Sequence, residues 1–229
     1  MVKREEIDNF SIDCVIFGFD KGELKALFIK RSTEPDFGKM ALPGGFVYLD
    51  EDLDAAPMRR LCDMTGLKDI YMEQVGTFGK INRYPLRRVI TVVYYALVRV
   101  DDYLVTLGLD ASEIHWIPVN KVPELAFDHR ELFDAALKKL QQQVHIEPLI
   151  FNLLPEEFTM TDVQTLYEAV CMQKLDKRNF RRRLKALEPT ILKDTGSKRS
   201  GYRHRAAKLY RFDKSEYEKM IQEGQMFSL

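Results

Sequence analysis

Two apolar, β-branched stretches, residues 12–19 and 23–31, flank the turn signal Asp20-Lys21-Gly22 and predict a β-hairpin. A loop over 32–39 follows, punctuated by Pro35 and Gly38. Residues 41–47 predict a strand bent at Gly44 and Gly45, and residues 52–65 a helix with Gly66 as its C-cap. Pro57 falls inside that helix, so either the helix begins late, with Pro57 in its first turn, or it is kinked. Further strands are expected over 71–78, 88–100 and 114–118, with a polar loop over 82–87. Leu132, Phe133, Ala136, Leu137 and Leu140 mark one face of an amphipathic helix over 129–143.

The pattern changes near residues 145–155. Pro148 and Pro155 bracket an apolar stretch that we take as a joint between domains, giving expected domains of 1–147 and 148–229. Thr159 or Thr161 then caps a helix to about Met172, and Asp176 caps a second over 177–187. A short strand at Ile191-Leu192, a polar loop over 194–205, a strand over 207–212 and a helix capped by Asp213 complete the chain. Helix, turn, helix, strand, basic loop, strand is the order of a winged helix-turn-helix.

Charge sharpens this division. The 229 residues carry 35 basic and 35 acidic side chains. The zero balance hides an imbalance over 174–214, where about 15 basic residues face 4 acidic ones, which points to a polyanionic partner. No apolar run could span a bilayer and no secretory signal stands at 1–9, so a cytoplasmic protein is expected. Cys14, Cys62 and Cys171 form no metal-type spacing or disulfide framework and are expected to be buried small apolar residues.

From Gly45 to Leu67 the chain keeps the frame of a Nudix box: Gly45, Glu51, Arg59, Leu61, Gly66 and Leu67 stand in register. The three acidic positions after Arg59 hold Arg60, Asp63 and Met64 instead. In a hydrolase these acids, at i, i+3 and i+4, share one helix face and hold Mg²⁺ against a pyrophosphate. A cation and a thioether at two of the three positions argue against a metal site, a resident cofactor or turnover here. Arg59 is expected to pair with Glu51.

In the second domain Phe180, Leu184 and Leu187 form a core stripe, leaving Lys177, Arg178, Asn179, Arg181, Arg182, Arg183 and Lys185 on the outer face. Arg and Asn read guanine and adenine in the major groove, and residues near the start of such a helix meet the bases. Lys177, Arg178, Asn179 and Arg182 are the base-side candidates. The loop residues Lys198, Arg199, Arg203 and Arg205 suit phosphates, while His204 is read as a solvent-exposed histidine, with a further contact as the alternative.

Together the two halves resemble the bacterial Nudix-related transcriptional regulators. The resemblance runs over about 11–212 and rests on Leu42-Pro43-Gly44-Gly45-Phe46, the degraded box, Leu125-Ala126-Phe127-Asp128-His129, the run 153–159 and the basic run 175–183. It implies an α+β chain: a Nudix-like α/β/α sandwich with a mixed sheet, followed by a winged helix. It also implies a homodimeric repressor or activator, with a repressor the main expectation, on a palindromic operator of double-stranded DNA, responding to ADP-ribose or related nucleotides in one branch and to pentoses such as L-arabinose in others. The expected effector residues are Arg31, Gly44, Gly45, Tyr84, Arg88, Asp128 and His129; Arg87 is a further cation nearby, and Asp128-His129 is alternatively a helix N-cap. Two competing readings are a Nudix hydrolase of nucleoside diphosphate derivatives with a nucleic-acid-binding tail, and a non-catalytic binding or scaffold protein whose basic tail contacts RNA or a protein. Only Tyr202 offers the second an aromatic stacking surface in the basic loop.

Overall fold

The computed structural model describes residues 5–65, 70–100, 111–188, 190–199 and 206–229. Its contacts divide the chain into two compact units, one running to Lys139 without the turn 21–23, the other comprising that turn and residues 140–229.

The first unit is a seven-stranded mixed sheet built on the hairpin β1 (Glu6–Asp20) and β2 (Glu23–Arg31). The turn between them places Lys21 and Gly22 at positive φ, 49° and 83°, where glycine is unstrained. The short β3 (Met40–Ala41) pairs with β2, and β4 (Gly44–Tyr48) pairs antiparallel with β1. The bent strand expected over 41–47 is therefore two strands. Pro43 between them has no N–H to give a ladder, and its carbonyl instead accepts from the Cys14 amide at 2.7 Å. β5 (Tyr71–Phe78) and β6 (Ile90–Arg99) complete one side, with β6 parallel to β1. β7 (Ala111–Pro118) pairs with β2 on the other.

Both faces of the sheet are covered, so the central strands are buried over 11–18 of β1 and 91–98 of β6. Ile12, Cys14 and Ile16 pack under α1 (Ala55–Thr65) with Ala56, Leu61 and Val47. Phe17 and Phe28 meet Phe133 of α2 (His129–Gln143) on the opposite face, ring centroids 6.2 and 5.7 Å apart. This is the expected α/β/α sandwich. The box helix begins at Ala55, not Asp52. Pro57 thereby falls in the first turn, where a missing N–H costs no helical hydrogen bond. Gly66 and Leu67 of the box lie outside the described residues.

The second unit opens with a 3-10 helix, Leu149–Leu153, whose Leu149, Ile150 and Leu153 are buried. Four apolar side chains of the stretch read as the joint between domains, Leu149, Ile150, Leu153 and Leu154, are buried, since they would be costly to leave in water. α3 (Met160–Cys171) starts at a capping box: Thr159 Oγ1 accepts from the Asp162 amide at 3.1 Å, and the Asp162 carboxylate accepts from the Thr159 amide at 2.8 Å. Met172, at φ 54°, ends it. α4 (Lys177–Ala186) is capped by Asp176. Val163, Leu166, Tyr167, Val170, Phe180 and Leu184 are buried on these two helices, with Tyr167 and Phe180 5.0 Å apart. The two-stranded sheet of β8 (Leu192–Arg199) and β9 (Ala207–Phe212) follows, then α5 (Lys214–Gln222).

β8 runs to Arg199, six residues into the stretch 194–205 expected to be a polar loop. Lys193 to Arg199 carry no apolar alternation because this part of the strand is largely exposed, so nothing in its sequence distinguishes it from a loop. Its register against β9 shifts between Asp194 and Lys198, around Gly196 at φ 74°.

Candidate functional site

The box positions are occupied in a way that leaves little for a metal. Arg59 on α1 grips Glu51 through two hydrogen bonds, Nε to Oε2 at 2.7 Å and Nη2 to Oε1 at 2.8 Å, and lies 4.2 Å over the Tyr48 ring. Glu51 Oε1 also accepts from the Tyr48 amide at 2.9 Å, which fixes the loop–helix joint. Asp63, one helical turn on, stands 3.6 Å from Arg59 Nη1. The two remaining box carboxylates therefore face a guanidinium. Among the described residues no group of three His, Cys, Asp or Glu side chains is arranged to hold a metal ion. A Cβ on Gly45 would stand 3.7 Å from Arg60 Nε and 3.9 Å from Cζ, so the side chain at the first acidic position lies along the bare backbone of β4. The Mg²⁺ of a Nudix hydrolase does not fit this donor set.

A buried polar cluster lies on the α2 side of the sheet. Arg83, only 8% exposed although its loop is polar, donates Nε and Nη2 to the two Asp128 oxygens at 3.0 Å each and Nη2 to Asp13 Oδ2 at 3.2 Å. Thr91 Oγ1 donates to the same Asp13 oxygen at 2.8 Å. His129 Nδ1 accepts from the Leu42 amide at 2.9 Å, which places the ring proton on Nε2, 3.6 Å from Asp13 Oδ1. Burial pushes the His129 pKa down; the nearby Asp13 and Asp128 charges oppose this more weakly. Gly44 completes the packing: a Cβ there would lie 2.4 Å from Asp13 Oδ1 and 2.6 Å from the Ile12 carbonyl.

The cluster brings together three of the expected effector residues, Gly44, Asp128 and His129, and adds Asp13 and Arg83, which sequence reasoning missed. Asp128 commits its carboxylate to Arg83, while its carbonyl accepts from the Glu131 amide at 2.9 Å in the first turn of α2. An acid in the middle of an apolar strand was the available signal for Asp13.

Two more expected residues converge on Phe127. The Arg31 guanidinium lies 4.8 Å over its ring, and Tyr84 and His129 each have ring centroids 5.3 Å from it. Phe127 itself sits at φ 54°, a strained conformation for an aromatic residue, with its amide held by Asp36 at 3.1 Å. Arg31 is further tied by its Nε to the Pro35 carbonyl at 2.9 Å. Arg88 stands exposed, ahead of β6 and beside Gly79; Arg87 lies 4.5 Å over the Phe46 ring.

Cys14 is fully buried, and burial, reinforced by Asp13, pushes its thiol up to about 12, beyond reach of ordinary thiolate chemistry. Cys62 and Cys171 are only half-buried, a departure from the expectation for all three.

In the second unit the cationic face of α4 is open. Lys177, Arg178, Asn179, Arg182 and Arg183 are exposed, opposite buried Phe180 and Leu184. Arg181 is partly buried and donates to Thr161 Oγ1 at 2.8 Å, bracing α4 against the start of α3. Arg183 reaches Ser228 Oγ at 3.4 Å. Lys198 is exposed on β8, whereas Arg199 is held by Asp162, Nη2 to Oδ2 at 2.9 Å. Tyr202, Arg203, His204 and Arg205 lie outside the described residues.

Both units are similar to known proteins. The NUDIX domain family matches residues 9–136, and the NrtR DNA-binding winged helix domain family matches residues 150–212. The ADPR responsive transcriptional repressor NtrR of Acinetobacter baylyi is 35% identical over 213 residues, 91% of this chain and 83% of the relative. The crystal structure of Shewanella oneidensis NrtR complexed with a 27mer DNA superposes with a TM-score of 0.78 at 30% identity, covering 95% of this chain and 97% of that one. The NUDIX domain of the same protein complexed with ADP ribose aligns at 32% identity with a TM-score of 0.53, over 59% of this chain and 90% of that one. An ADP-ribose pyrophosphatase of Methanocaldococcus jannaschii is 34% identical over 136 residues, 58% of this chain and 79% of the relative. The chain belongs to the Nudix-related transcriptional regulators of the NrtR family, in which a NUDIX domain precedes a DNA-binding winged helix.

Proposed function

We propose that this chain is a transcriptional repressor whose Nudix domain senses ADP-ribose or a related nucleotide without hydrolysing it. The observation that carries the reading is the pairing of a box with Arg60 at an acidic position, and its carboxylates Glu51 and Asp63 facing Arg59, with an open cationic helix in a winged-helix unit. Such a chain keeps a nucleotide-binding scaffold, loses the hard ligands for Mg²⁺ and gains a surface for duplex DNA. Relatives named for ADP-ribose responsiveness and for complexes with DNA and ADP ribose support the same assignment.

In this reading Arg31, Gly44, Gly45, Tyr84, Arg88, Asp128 and His129 form or support the effector cleft. Phe127 lies at the meeting point of Arg31, Tyr84 and His129. Lys177, Arg178, Asn179 and Arg182 face base edges; Arg181, Arg183, Lys198, Arg199 and Arg203 position the duplex. The repressor acts in the cytoplasm as a homodimer on a palindromic operator, its two α4 helices about 34–36 Å apart, one turn of DNA. Effector binding changes operator affinity by a coupling of about 1–3 kcal/mol per site.

The test is binding of the purified chain to its own upstream intergenic DNA, titrated with ADP-ribose and, separately, with L-arabinose. A specific complex weakened by ADP-ribose alone is expected. A response only to arabinose would reassign the effector class, and the absence of specific duplex binding would refute the regulator.

A further inference from the structure

The box raises a question that loss of catalysis does not answer: what meets the charge of a diphosphate in a Nudix domain whose metal ligands are gone. An ADP-ribose-like effector carries two phosphate charges at its centre. In a hydrolase the cation facing them is Mg²⁺, held by the three acidic positions of the box helix. Here the first of those positions is Arg60 and the third is Met64. The second, Asp63, lies 3.6 Å from Arg59, which also holds Glu51 in a two-bond grip.

We propose that Arg60 stands in for the metal ion: its guanidinium binds the effector's diphosphate directly, and effector binding needs no divalent cation. The proposal rests on the reading of the Nudix domain as a nucleotide-diphosphate sensor.

Three observations place the group. Arg60 is in the middle of α1, at the first of the three box positions whose side chains would hold the metal in a hydrolase. Its side chain runs beside Gly45, with Nε and Cζ 3.7 and 3.9 Å from where a Cβ would stand, so β4 offers the guanidinium a bare backbone wall. Its charge is also felt at Cys14 on the neighbouring β1, where it opposes the effect of Asp13 and so lies toward the sheet. A guanidinium offers a planar fork that matches two phosphate oxygens, carries its charge at all working pH values and needs no coordination shell. Glycine at 45 leaves room for a phosphate to approach backbone and fork together.

The experiment is calorimetric binding of ADP-ribose to the full chain in EDTA and in Mg²⁺, repeated with Arg60→Ala and Arg60→Lys, with inorganic pyrophosphate as a second probe. Thermal melting of each variant checks folding. Wild-type affinity should agree within about twofold between EDTA and Mg²⁺. Arg60→Ala should weaken ADP-ribose by about 10- to 100-fold, the worth of a charged hydrogen-bond pair, while adenosine, which lacks the diphosphate, binds the variant and the wild type alike. Arg60→Lys, which keeps the charge but loses the fork, should fall between.

ADP-ribose binding that EDTA abolishes, or that survives Arg60→Ala undiminished, would overturn the proposal and leave the sensor reading intact. If ADP-ribose fails to bind wild type but pyrophosphate binds in EDTA and is lost in Arg60→Ala, the effector assignment fails and the role of Arg60 stands. If neither probe binds, both fall.

Discussion

Arg83 meets Asp128 through two parallel hydrogen bonds, Nε to Oδ2 and Nη2 to Oδ1, each 3.0 Å long and nearly removed from solvent. The same guanidinium reaches Asp13 at 3.2 Å, so one loop residue ties the start of α2 to the central strand β1. Removing one member of a buried ion cluster costs more than the cluster contributes, because the remaining charges are left without compensation. Arg83→Met should destabilise the first unit by about 3–5 kcal/mol. Urea unfolding followed by the fluorescence of the single tryptophan, Trp116 on β7, measures this in the unit concerned. A loss below 1 kcal/mol would show that the cluster relaxes without its cation.

The lowered pKa of His129 has a defined sign. The unfolded chain takes up a proton near the ordinary histidine value of about 6.5, and the buried ring only at lower pH. Between these two values the unfolded state binds more protons. The stabilisation is therefore fully present above about pH 6.5 and is lost as pH falls through the folded value. His129→Gln, whose amide oxygen can still accept from Leu42, should flatten the stability profile between about pH 7 and 5.5. Equal slopes in variant and wild type would assign the titration elsewhere.

Gly44 has no room for a side chain between Asp13 Oδ1 and the Ile12 carbonyl. Gly44→Ala should force β4 from β1 and cost about 1–3 kcal/mol. A lowered thermal midpoint with weakened ADP-ribose binding is expected, since the same shift moves Gly45 relative to Arg60. An unchanged midpoint would mean that the strand pair yields freely.

The cations of the second unit should separate by role. Arg182→Ala, on the open face of α4, should weaken operator binding by about 5- to 150-fold and random DNA much less, as expected of a base contact. Lys198→Ala should reduce the slope of log affinity against log salt by about one. Equal losses on operator and random DNA would make Arg182 a phosphate contact, and an unaltered slope would remove Lys198 from the interface.

Most of the architecture was legible because its elements are one-sided. The apolar stripe of α2, the capping residues Thr159 and Asp176, and the hairpin turn at Lys21-Gly22 each carry a local physical requirement that the sequence states directly. The polar strand Lys193–Arg199 was invisible because its pairing with β9 leaves no apolar signature. The buried cluster was only half legible. Asp128 and His129 stood out in a family-like run, whereas Arg83 comes from an exposed loop and meets Asp13 seventy residues away in sequence, a contact that only the folded sheet creates. Phe127 carried no sequence mark of its strained backbone.

The most direct test of the account places regulation and turnover in one tube. Labelled operator DNA, the full chain, Mg²⁺ and ADP-ribose are incubated while anisotropy follows the bound DNA and chromatography follows AMP and ribose 5-phosphate. A sensor that does not hydrolyse its effector predicts a rapid fall in anisotropy that then holds steady, with no accumulation of either product. Product formation at many turnovers per chain, with the DNA signal recovering as ADP-ribose is consumed, would contradict it.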